Sequence, residues 1–236
     1  MGETPERREP DVRERAVPTE SESLAVDAAA LGFWQGLLFW LVVLGAAAGI
    51  AAEAAARSRG WGDLEDPAKA LKLLCDVGYC LALTRMERMR TGYRAAGIAG
   101  LLALGLATLA GLLDASGELF HEIDFLMVVP LGIITAAVSQ CLEYACHAGA
   151  IEAVESKLSR IWRRLTKWYL IAAATGFVGQ LLLLFPGKKS HALLTIAAAA
   201  AVGGVLSLVK LVCLWRGGKA ARAYATGDGA GPGDAV

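Results

Sequence analysis

The sequence predicts an all-α fold: a polytopic bundle of transmembrane helices with six spans, or with five spans and one amphipathic surface helix. Three observations carry this. Five stretches, Leu31–Ala52, Tyr93–Leu113, Ile123–Ala145, Trp168–Phe185 and Ala192–Trp215, run close to the ~20 apolar residues that cross about 30 Å of hydrocarbon. The 236 residues are 56% hydrophobic and 19% charged, where a soluble domain averages about 45–50% and about 25%. Mean hydropathy is +0.48, and the apolar excess falls in blocks, which marks spans rather than one large core.

Residues 1–30 form a polar tail. Met1–Ser23 alternates Glu, Asp and Arg with Pro5, Pro10 and Pro18, and holds too little apolar surface to fold. It does not read as a signal peptide, because its charged region is long and acidic and Leu31–Ala52 exceeds an h-region. Glu6 stands where a myristoylation pattern needs Ser or Thr. Residues 31–216 then form the transmembrane helical domain, and 217–236, with six glycines, a flexible C-terminal tail.

Pro67–Thr84 is the segment on which the span count turns. It carries Lys69, Lys72 and Asp76, and a central Asp or Lys costs about 2.5–3.5 kcal/mol on insertion scales. Lys72 and Asp76 stand at i, i+4 and can pair on one face, while Lys69 is near enough to the end to snorkel. With six spans, the tails and the loops 85–94 and 147–167 hold sixteen Lys and Arg, against four on the other side. With five, the ratio is sixteen to six. Both arrangements put these loops and the C-terminus in the cytoplasm and the acidic loop 114–124 outside, so a multi-pass protein of the plasma (inner) membrane is expected. A faint parallel repeat favours six. Cys75-x4-Cys80, a basic loop and Thr91-Gly92-Tyr93 are echoed by Cys141-x4-Cys146, a basic loop and Thr166-Lys167-Trp168.

Small residues recur at helical spacing: Gly32 and Gly36, Gly45 and Gly49, then Ala103, Ala107 and Gly111, then Gly176 and Gly179. Such faces let helices approach closely in lipid. They pack the bundle internally, or they seat a second copy or a membrane-protein partner.

Polar residues gather on the even-numbered spans. Span 2 has Lys69, Lys72, Asp76 and Cys80; span 4 has Thr135, Ser139, Glu143 and His147 at steps of four; span 6 has Ser207 and Lys210. Polar faces avoid lipid, so spans 2, 4 and 6 should turn them towards one another or a cavity. The candidate pathway is Lys72, Asp76, Ser139, Glu143, His147 and Lys210. By count along the helices, Glu143 and Lys210 lie within a turn or two of the cytoplasmic end and can reach water by snorkelling.

No catalytic constellation or cofactor site is expected. Cys-x4-Cys puts two sulfurs about 140° apart on a helix, unlike the C-x2-C of zinc sites, and all five cysteines lie towards the reducing side, so they read as apolar filler. Glu143 and His147 with Cys213 invite a metal, as the outer patch of Glu118, His121, Glu122 and Asp124 invites a weakly held divalent cation, and for the thiols the filler reading is preferred. His121 and His191 fall in outer connections, which argues against a haem between spans. The acidic patch Glu118, His121, Glu122 and Asp124 reads as a solvated turn, and Phe125 breaks the H-E-x-x-H pattern. G-x-S-x-G and P-loop patterns are absent. The expected function is a non-catalytic integral membrane scaffold or accessory subunit, and the alternative is a small-solute or ion transporter or channel lined by spans 2, 4 and 6.

Overall fold

A computed structural model describes residues 20–58, 62–116, 122–183, 185 and 187–227. The described residues form six α-helices: α1 (Glu20–Arg57), α2 (Glu65–Arg85), α3 (Thr91–Ser116), α4 (Glu122–Ala150), α5 (Ser156–Leu182) and α6 (Lys189–Thr226). Short 3-10 turns at Gly62–Leu64 and Met86–Arg88 precede and follow α2. The described residues contain no strand.

Each helix packs on the next in sequence, and α1 packs on α6, so the six close into a ring. Neighbours run antiparallel, as the close approaches show. Gly45 of α1 meets Cys75 and Asp76 of α2, and Gly49 meets Lys72. Gly100 of α3 meets Ser139 of α4, and Gly132 of α4 meets Leu106 of α3. Gly32 of α1 lies against Gly218 and Arg222 of α6.

Four helices have segments long and apolar enough to cross a membrane: Asp27–Arg57, Thr91–Leu112, Val128–Ala150 and Lys189–Thr226. These contain four of the five expected apolar stretches or most of them. The fifth, Trp168–Phe185, is the exception. Its helix begins at Ser156 with Lys157, Arg160, Arg163, Arg164 and Lys167, and ends at Leu182, so the apolar part is shorter than expected. α2 also falls short, because of Lys69, Lys72 and Asp76. Large apolar side chains point outward around the ring, among them Phe33, Trp40, Leu102, Leu131, Ile171 and Leu208, a surface that suits lipid better than water.

The helical region is wider than 31–216. α1 begins at Glu20 and α6 runs to Thr226, because Ala28 and Leu31 at one end and Gly217, Gly218 and Ala221 at the other are buried in the α1–α6 seam. Residues 1–19 and 228–236 of the expected tails lie outside the described residues. So does the acidic patch, since 117–121 and the side chains of 122–127 are not described.

Burial is uneven along the ring axis. One end carries the basic connections between α2 and α3 and between α4 and α5. There the core is continuous: Leu83, Met86, Tyr93, Tyr144, Ile151, Leu158, Trp162 and Leu214 are all buried. Towards the far end it thins. Among the described residues of α3, none beyond Gly97 is buried, and in α6 none lies between Ala192 and Leu206. The ring is plugged at its basic end and hollow beyond it.

Candidate functional site

The hollow is a cavity of about 470 Å³ inside the ring. α2 supplies Lys72, Asp76 and Tyr79 to its wall, α4 supplies Ser139 and Gln140, and α6 supplies Ser207 and Lys210; the rest is mostly apolar, from Leu41, Val42, Ala103 and Leu104. A groove between α1 and α2 shares Gly45, Ala46 and Lys72 with it and leads to Glu53 and Arg57 at the far end. Those two pair at 3.2 Å in full view of water. Lys69 pairs with Glu65 one turn below.

Lys72 and Asp76 bond each other at 2.5 Å, one turn apart. Both are about half exposed, and their exposed surface faces the cavity. The outward face of α2 is instead Leu71, Leu73, Leu74 and Leu81. The polar and apolar faces therefore separate as a helix with one wet side requires.

The floor of the cavity is an ionic cluster built from three non-adjacent helices. Lys210 Nζ lies 2.9 Å from Glu143 Oε1, 3.0 Å from Oε2, and 3.1 Å from Gln140 Oε1. Tyr79 donates its hydroxyl to Glu143 from α2. The ammonium also stands 4.6 Å from the Tyr79 ring centre and 5.5 Å from that of Tyr144, within cation–π range. Glu143 is 0% exposed and Lys210 6%. Neither snorkels. The expectation that they reach water at the helix end is corrected: opposite charges on facing helices found each other first. Removing two ions from water costs several kcal/mol each, which only such close pairing and extra hydrogen bonds can offset.

Behind Glu143 the polar chain continues into the plug. His147 Nε2 is 3.6 Å from Glu143 Oε1, too long for a hydrogen bond, and has no other partner among the described residues. Its Nδ1 is 2.9 Å from the Tyr93 hydroxyl. The ring stacks on Trp162 at 4.7 Å and 26°. Ser139 donates to the Ala96 carbonyl at 2.8 Å, tying α4 to α3 at the cavity wall.

Of the six candidate residues, Lys72, Asp76, Ser139 and Lys210 thus line one cavity, with Glu143 and His147 directly beneath its floor. The aromatic and amide partners went unnoticed in the sequence. Tyr79 falls one turn after Asp76 on the same face, Gln140 one turn before Glu143, and Trp162 lies within the stretch 147–167 expected as a basic loop. Gln35 of α1 is a further buried polar residue, outside the polar faces of spans 2, 4 and 6. It is fully buried against Gly217, and neither amide atom has a partner among the described residues.

The five cysteines are free thiols. Among the described residues, no three metal-ligating side chains come together. No protein-family model, curated protein or solved structure matches this chain.

Proposed function

We propose that the chain is a six-span membrane protein that admits a small polar solute or ion to the cavity and moves it past the Lys210–Glu143 floor. The observation that carries this is the cavity itself: within a bilayer, a hollow reached by charged side chains from α2 and α6 and by polar ones from α4 is a solute path before it is anything else. α2 and α5 are the two further spans. Each is long enough at 1.5 Å per residue to cross about 30 Å, and each is held between two apolar neighbours. The basic end lies in the cytoplasm, as the positive-inside rule requires, so the cavity opens outward and the plug faces inward.

A scaffold or accessory subunit is the competing reading. It needs a free small-residue face for its partner. Gly32, Gly45 and Gly49 of α1 are already covered by α6 and α2 of the same chain, which favours the transporter, while Gly36 and the outer end of the α3 stripe at Gly111 have nothing within 4 Å and are the face a scaffold would have left.

Thiol accessibility separates the two. In a variant lacking native cysteines, Ala136→Cys and Ser207→Cys should react with a small charged thiol reagent added from outside. Val138→Cys and Leu208→Cys, whose native side chains point outward to lipid, should stay unmodified. Equal protection at all four positions would remove the solute path and leave the accessory-subunit reading.

The sidedness has its own test. Lys157 at the basic end and Ser190 at the far end are both exposed. Ser190→Cys should be labelled by an impermeant maleimide on intact cells, and Lys157→Cys only after lysis. The reverse pattern would invert the protein.

A further inference from the structure

A second recess, of about 240 Å³, lies inside the ring at the basic end, on the other side of the plug. Its wall brings together Asp27 of α1, Arg88 and Arg90 from the connection between α2 and α3, Gly149 at the end of α4, and Tyr224 of α6. α1 and α6 form one side and α4 with the connection the other, so the recess spans the ring rather than following one seam. We propose that it binds a phosphate-type oxyanion between Arg88 and Arg90. The proposal does not depend on the solute path through the outer cavity.

The nearby acids explain why these two arginines are available. At the same end, Arg94 pairs with Glu87 at 3.1 Å, Arg163 with Glu152 at 2.7 Å, and Arg216 with Glu155 at 3.4 Å. Glu87, next to Arg88 in sequence, is therefore engaged elsewhere. Arg88 and Arg90 have no carboxylate partner among the described residues, and both reach water.

Their placement is built. A side chain at position 149 would occupy the space of the Arg90 guanidinium. Glycine there lets that guanidinium lie directly on the end of α4, where the carbonyl ends of the helix favour a cation. Two guanidinium groups can each bind a tetrahedral oxyanion through paired N–H donors, a geometry lysine cannot reproduce. The Tyr224 hydroxyl adds a donor on the α6 side. With Asp27 counted, the lining carries one net positive charge, which suits a singly charged group such as a phosphodiester or dihydrogen phosphate. Ala28, Leu31 and Val154 give the rest of the wall an apolar character that can take a carbon skeleton.

The chemistry is shared by a free phosphate and a lipid headgroup, and two arms of one experiment distinguish them. The full chain is reconstituted in nanodiscs, and its thermal transition is followed. In the first arm the lipid is phosphatidylcholine only, and inorganic phosphate is titrated at constant ionic strength. In the second, phosphatidylglycerol replaces part of the phosphatidylcholine without added phosphate. A saturable rise of the transition in the first arm identifies a free phosphate; a rise confined to the second identifies a lipid. In either arm Arg88→Gln/Arg90→Gln should weaken half-saturation at least about tenfold, the loss of one charged hydrogen-bonding contact or more. Arg160→Gln, an exposed cation outside the recess, should change nothing. Asp27→Asn keeps both arginines and should tighten binding severalfold, so it decides the matter if the double variant does not fold. No shift in either arm, an equal shift in the Arg160 and double-arginine variants, or weaker binding in Asp27→Asn would overturn the proposal.

Discussion

Lys210→Met should destabilise the bundle by about 3–5 kcal/mol, the usual cost of stranding one member of a buried ion pair. Glu143 would keep the Tyr79 hydroxyl as a donor but lose both contacts to the ammonium. Glu143→Leu should cost a similar amount, since it leaves Lys210 with only the Gln140 carbonyl and two ring faces. Lys210→Met/Glu143→Leu should recover much of the loss, because well-packed apolar side chains replace a buried pair at little net cost. Unfolding of the four proteins in mild detergent measures this. Single effects that simply add in the double variant would mean that the two side chains do not act as a pair.

Gly97→Val should rank next. A Cβ at Gly97 would stand 2.5 Å from the Cys80 carbonyl oxygen and 2.6 Å from Thr84 Cγ2. The first of these is backbone, so nothing can swing aside and α3 must move off α2. Overpacking of this kind costs about 1–3 kcal/mol in a core. The consequence should be larger than that figure, because α2 is not among the four helices apolar enough to cross a membrane by themselves and depends on its neighbours for its place. Gly105→Val is the control, since a side chain there meets nothing within 4 Å. Yield in the membrane fraction and the melting transition should both fall for position 97 and hold for 105. Equal behaviour would mean that the α2–α3 seam is wider than described.

How far the fold was legible follows from where each signal resides. α1, α3, α4 and α6 announce themselves by apolar runs, a property of adjacent residues. The i, i+4 spacing of Lys72 and Asp76 likewise foretold a bond within one helix, and the structure contains it. Glu143 and Lys210 are 67 residues apart, and their depth was judged from the nearest helix end. Counting along a helix cannot reveal what the opposite wall offers, so pairing looked less probable than snorkelling. Glycine misled in a different way. Gly217 and Gly218 read as loosening the chain, because glycine weakens isolated helices. In the α1–α6 seam their missing side chains are what allow contact, and packing overrides propensity.

Ring closure also sets an order of events during synthesis. α1 emerges first, yet the surface against which it buries Gln35 and Gly32 belongs to α6, the last of the six helices to be made. Until then the face of α1 that carries Gln35 and Gly32 has no helix against it. Until α6 is made the bundle is therefore an open arc, with one side of its first helix uncovered. A chain that stops before residue 217 has five of its six seams satisfied at most, and its leading helix is held from the α2 side alone.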